Sequence, residues 1–112
     1  MAIRLHKPWI ALSLDAVAAL PGQLGVYQLA DEDGRIVYIG LAGGRSRFGL
    51  RGELERALRE GWGGASQFRY EVNQQYASRH RELLMLHAAD HGTLPIVNRA
   101  DPPARLGRLS PL

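Results

Sequence analysis

The side chains in this sequence best suited to chemistry are its arginines, its histidines and two tyrosines set in short glycine motifs. Thirteen of the 14 basic residues are arginine, whose planar fork matches phosphate or carboxylate. Against 11 acidic residues they leave a formal net charge of +3, a mild preference for an anionic partner such as a nucleic-acid backbone. His80, His87 and His91 fall on or near one helical pattern, and the i,i+4 spacing of the last two could bring two imidazoles together. Neither an HExxH sequence nor any cysteine accompanies them, which removes the common zinc sets. The run Gly40-Leu41-Ala42-Gly43-Gly44-Arg45-Ser46 could offer amides to a phosphate, but it lacks the GxxxxGK[ST] pattern and its lysine. Tyr27 closes Gly25-Val26-Tyr27, and Tyr38 opens Tyr38-Ile39-Gly40.

The elements around these residues follow from periodicity and turn chemistry. Leu24 to Leu29 and Arg35 to Ile39 read as strands, joined by a turn in which Asp33-Gly34 supplies the positive φ of a tight hairpin. Leu50, Leu54 and Leu58 recur every four residues, so a helix over 50–60 buries one face. Gly52 weakens its first turn. Phe68, Tyr70 and Val72 alternate with Arg69 and Glu71, giving a third strand over Gln67 to Asn73 with one wetter face. A second long helix is expected from about Arg79 to His91, capped by Ser78 and stopped by Gly92. Nearer the start, Leu12 to Leu20 forms a short helix with Ser13 as its cap, and Trp9 and Ile10 pack on the body. Pro95 to Asn98 reads as a short extended return.

With 112 residues, 46% of them hydrophobic, the chain has material for one modest core but not two. The expectation is a single α+β domain over 1–112 with its core at about 20–99 and an irregular tail over 100–112. Arg4 and Lys7 precede an apolar-rich run, but Trp9, Ser13 and Asp15 break it, so this segment reads as mature structure. No apolar run reaches membrane-spanning length. No membrane partner is expected, and a cytoplasmic location is compatible with the lack of cysteine. Oligomeric state is not legible.

The two tyrosine motifs, followed by an arginine-bearing helix, a third strand and a helix carrying Glu82, resemble the GIY-YIG nuclease superfamily over roughly Leu20 to Arg99. That resemblance implies a three-stranded antiparallel sheet flanked by helices, and metal-dependent endonuclease-like hydrolysis of phosphodiesters. Nucleic acid, DNA first, is the implied partner, with Mg²⁺ as the cofactor or Mn²⁺ in its place. Tyr27 and Tyr38 would occupy the motif positions, orienting and activating water. Glu82 would hold the metal, and Asn98 would close the last element. For the arginine, counting eight residues from Gly40 reaches Phe48, and an alternative alignment through Leu50 and Leu54 reaches Glu53. Arg51 is the first choice for that role and Arg45 the second.

These roles are physically coherent, because a metal-bound water and a cation on the non-bridging oxygens answer the charge of a phosphodiester. An alternative keeps the partner and drops the cleavage: a catalytically weakened nucleic-acid-binding module. Another uses the hairpin for protein assembly. Each residue also has an ordinary structural role open to it. The tyrosines suit a half-buried sheet, Glu82 suits the first half of a helix, Arg51 could pair with Glu55, Arg45 could be a solvent-facing loop residue, and Asn98 could cap a turn.

Overall fold

The computed structural model describes residues 3–100. At its centre is the expected hairpin. Strand β2, Gly25–Ala30, pairs antiparallel with β3, Ile36–Ala42, so that Tyr27 lies opposite Gly40 and Leu29 opposite Tyr38. Asp31 organises the turn: its Oδ1 accepts from the backbone amides of Asp33 and Arg35. Gly34 takes φ of +85°, a conformation that side chains rarely adopt. The third strand of the sequence, β4 at Gln67–Val72, pairs with the other side of β2.

Four strands make the sheet: β1, Ile10–Ala11, precedes the others in the chain, the order is β1-β4-β2-β3, and every pairing is antiparallel. The additional strand, β1, is only Ile10–Ala11 and joins the free edge of β4. This corrects the three-stranded GIY-YIG-like architecture and, with it, the resemblance to that superfamily: the sheet is open and four strands wide. Two residues are too few for an alternating pattern to register. Trp9 and Ile10 therefore read as an apolar anchor when the chain in fact pairs there.

Helices cover both faces. On one side lie α1, Leu14–Ala18, and α2, Gly49–Glu60; on the other lies α3, Tyr76–His91. Ser13 caps α1 as expected, its Oγ accepting from Ala16 N at 3.2 Å, but the helix stops short of Leu20. Helix α3 begins before Ser78. Asn73 Oδ1 accepts from Gln75 N at 2.7 Å and turns the chain into the helix, so Ser78 lies inside it. Pro95 to Asn98 is not extended either. Ile96–Ala100 forms α4, because proline suits a helix start as well as it suits an extended segment. Residues 101–112 of the expected tail lie outside the described residues.

Strand alternation divides the core in two. Tyr27, Leu29, Tyr38 and Phe68 pack against Val17 of α1 and Leu50 and Leu54 of α2. Val26, Ile39, Leu83 and Leu84 pack with Leu5 beneath α3. No helix among the described residues is long and apolar enough to cross a membrane.

Candidate functional site

The tyrosine motifs build an aromatic layer against α2. Tyr27 and Tyr38 have ring centroids 6.0 Å apart, and Tyr38 meets Trp62 edge-on at 5.0 Å. Gly40 is a steric requirement of this layer. A Cβ there would lie 2.4 Å from Tyr27 and 2.6 Å from Tyr38. The Tyr27 hydroxyl donates to Glu53 Oε1 over a long 3.3 Å, while Ser46 Oγ donates to Glu53 Oε2 at 2.9 Å. Arg56 lies 3.6 Å from Glu53 and covers the Trp62 ring at 4.9 Å, with its Nε sealed and lacking a hydrogen-bond partner.

This layer is dry. Tyr27 is 0% exposed and Tyr38 4%. Burial first, then the neighbouring Tyr38 and Glu53, push Tyr27 ionisation well above that of free tyrosine, against the opposing pull of Arg56. A phenol held protonated in this way is a poor general base.

The sheet separates these tyrosines from Glu82. Glu71 stands opposite Val26, on the α3 face, and it accepts from Arg79 Nε at 3.0 Å. Arg79 also pairs with Glu82 and donates to the Ile3 carbonyl. Burial acts to raise Glu71, but hydrogen bonds from Arg79 and Asn73 outweigh it and hold the carboxyl below its usual range. Glu82 thus belongs to a carboxylate–guanidinium cluster. That donor set does not fit a divalent ion, because a cation already occupies it, and the described residues contain no group of three or more metal-ligating side chains.

Asn98 serves the edge of the sheet. Its Oδ1 accepts from Ile39 N at 2.9 Å and its Nδ2 donates to Ile39 O at 3.0 Å, satisfying both backbone groups as a neighbouring strand would. His80 Nε2 shares the same carbonyl at 3.1 Å. That carbonyl can only accept, so the imidazole is protonated at Nε2 in this contact.

The two arginines named from the sequence lie elsewhere, around the turn into α2. Arg45 is exposed, Arg51 half-buried, and Arg51 forms no ion pair with Glu55. Between them the chain does something unusual for a bulky residue. Phe48 adopts φ 62° and ψ 18°, the only positive φ outside glycine among the described residues, and the residue is 61% exposed. For an L-residue that conformation costs roughly 1–2 kcal/mol.

Two glycines make the turn possible. A Cβ on Gly49 would come within 2.5 Å of Gln23 O, and one on Gly52 within 2.1 Å of Arg47 O. Gly52 therefore admits a carbonyl into the first turn of α2 rather than merely weakening it. The preceding loop is tied down by Gly43 N to Ser46 Oγ at 3.1 Å and by Gly44 N to the Tyr76 hydroxyl at 3.2 Å. Arg47 and Arg51 place their guanidinium carbons 5.9 and 6.0 Å from the Phe48 ring centroid. Sequence reasoning missed Phe48, Arg47, Glu53 and Arg56 as parts of a site. The readable signal was an aromatic within a run of arginines and glycines.

No curated protein matches the chain. The match to a known family spans residues 3–90, which takes in the tyrosine layer, the loop before α2 and the Arg79–Glu82 cluster but stops before Asn98. On that match the chain belongs to the family described as Domain of unknown function (DUF7508).

Proposed function

We propose that this domain binds nucleic-acid strands through the loop and helix start at 45–51. The observation that carries the reading is Phe48, an exposed ring between Arg47 and Arg51 in a backbone conformation that costs energy to hold. Strain kept at an exposed aromatic points to use rather than packing. A base has a π-face that stacks on such a ring, and the flanking guanidiniums suit the phosphates on either side. Arg45 extends the same basic rim. The two phenols are buried, and Glu71 and Glu82 are paired with Arg79 on the other face of the sheet, which favours binding over cleavage.

Fluorescence polarisation with labelled single-stranded DNA and RNA, over a series of salt concentrations, tests the reading. Phe48→Ala should weaken binding about tenfold, the lower part of the range for loss of one base–aromatic stack. Arg47→Ala and Arg51→Ala should each flatten the salt slope by roughly 0.7, one phosphate contact on a single strand. Unchanged affinity in all three variants would overturn the proposal. Scission in Mg²⁺ or Mn²⁺ that disappears in Glu82→Ala would favour the hydrolytic reading instead.

A further inference from the structure

On the α3 face, away from Phe48, the N-terminal segment, the sheet and α3 line an open cavity of about 200 Å³. It is smaller than the roughly 300–1,000 Å³ of pockets for drug-sized ligands, a size that suits a small molecule or ion. Its charges do not cancel. Arg4 is held by Asp90 through bonds of 2.8 and 2.6 Å, which neutralises both. Arg69 also lines the cavity, and its partners are uncharged: Nε donates to Gln28 Oε1 at 2.7 Å and Nη1 to the Lys7 carbonyl at 3.1 Å. Its guanidinium stacks 4.0 Å from the Trp9 ring centroid. No described acid forms an ion pair with it.

Gln28 completes the arrangement. It is only 4% exposed, yet it lines the cavity. Because its oxygen must face the Arg69 donor, its amide orientation is set, and Nε2 is left with hydrogens to give. Arg69 Nη2 lies on the same edge of the guanidinium as Nε. Two unpartnered donors therefore flank one hydrogen bond beside a single uncompensated positive charge. In a site partly withdrawn from water that charge acts more strongly than on an open surface.

We propose that this cavity is a binding site for a small oxyanion, phosphate or carboxylate, gripped by Arg69 and Gln28. The site is independent of the loop at 45–51. Inorganic phosphate and acetate, titrated separately at constant ionic strength and followed by two-dimensional ¹H–¹⁵N NMR, report on it residue by residue. Saturable shifts at residues 28 and 69 and along the cavity side of α3 are expected. A stronger response to phosphate identifies a tetrahedral anion, and a stronger response to acetate a planar one.

Gln28→Glu keeps the acceptor for Arg69 but neutralises its charge, and should weaken binding at least tenfold. Arg69→Lys keeps the charge but loses the fork, and should also weaken it. Either variant alone decides the matter if the other does not fold. Phe48→Ala should leave these shifts unchanged. Shifts that never saturate, that appear only at 45–51, or that persist in the folded variant would overturn the site.

Discussion

The chain has two phenylalanines, and the fold treats them in opposite ways. Phe68 is 0% exposed, opposite Leu29 in the sheet and stacked 6.4 Å from Tyr70. Phe48 is 61% exposed on a left-handed turn. Phe68 lowers the free energy of the fold by leaving water. Phe48 leaves its area wet and adds backbone strain. The contrast separates an aromatic layer that holds the domain together from an aromatic loop that does not. It also reverses a natural reading of the sequence, in which the paired tyrosine motifs mark the site and Phe48 is an obstacle to it.

Substitutions along that contrast should rank accordingly. Phe68→Ala removes a sealed ring and should cost about 3–5 kcal/mol in chemical denaturation. Stability close to that of the parent would mean that the layer is looser than its geometry indicates. Gly40→Ala forces a methyl group into Tyr27 and Tyr38 and should cost about 2–3 kcal/mol, the upper range for overpacking. Tyr27→Phe in the same background removes the hydroxyl, itself 2.4 Å from the new methyl position, but leaves the ring Cζ at 2.4 Å and Tyr38 at 2.6 Å. Most of the steric defect should therefore remain, and a full rescue would refute the ring-clash explanation.

Arg79→Met tests the charged face and should cost about 2 kcal/mol, less than a fully buried pair because Glu71 and Glu82 retain contact with solvent. It carries a pH signature. Glu71 is depressed in the folded protein, so its stabilisation is present above the usual carboxyl value of 4.5 and is lost as pH falls below that. Parent and variant should therefore converge in stability under acid. A constant gap from pH 7 to pH 2 would exclude the ion-pair account. The smallest effect has the opposite sign. Phe48→Gly relieves the left-handed strain and should stabilise the domain by about 1 kcal/mol or less, while weakening strand binding. A loss of stability there would mean that the exposed ring contributes to folding.

The charged face shows why adjacent positions in a sequence can mislead about a site. Glu82 has the residue type and the helix position of a metal ligand, but those properties do not say which way a helix turns its side chains once packed. Leu83 and Leu84 anchor α3 on Val26 and Ile39, the face of the sheet opposite the tyrosines. With that packing, Arg79 becomes the partner of Glu82. Asn98 shows the converse. The sequence singled it out as the close of a site element, but its task in the fold, completing the hydrogen bonds of an edge strand 59 residues away, was not readable.

Local sequence by itself determined the hairpin, the amphipathic α2, the strand at Gln67–Val72 and most of α3, because periodicity, turn residues and glycine conformations act over a few neighbouring positions. Tertiary structure alone decided the fourth strand, the burial of both tyrosines, the separation of Glu82 from them and the outward display of Phe48. Each of these depends on contacts between segments far apart in the chain. A two-residue strand exists only where another edge is waiting, and a phenylalanine is turned outward only where Gly49 and Gly52 let the backbone close beneath it.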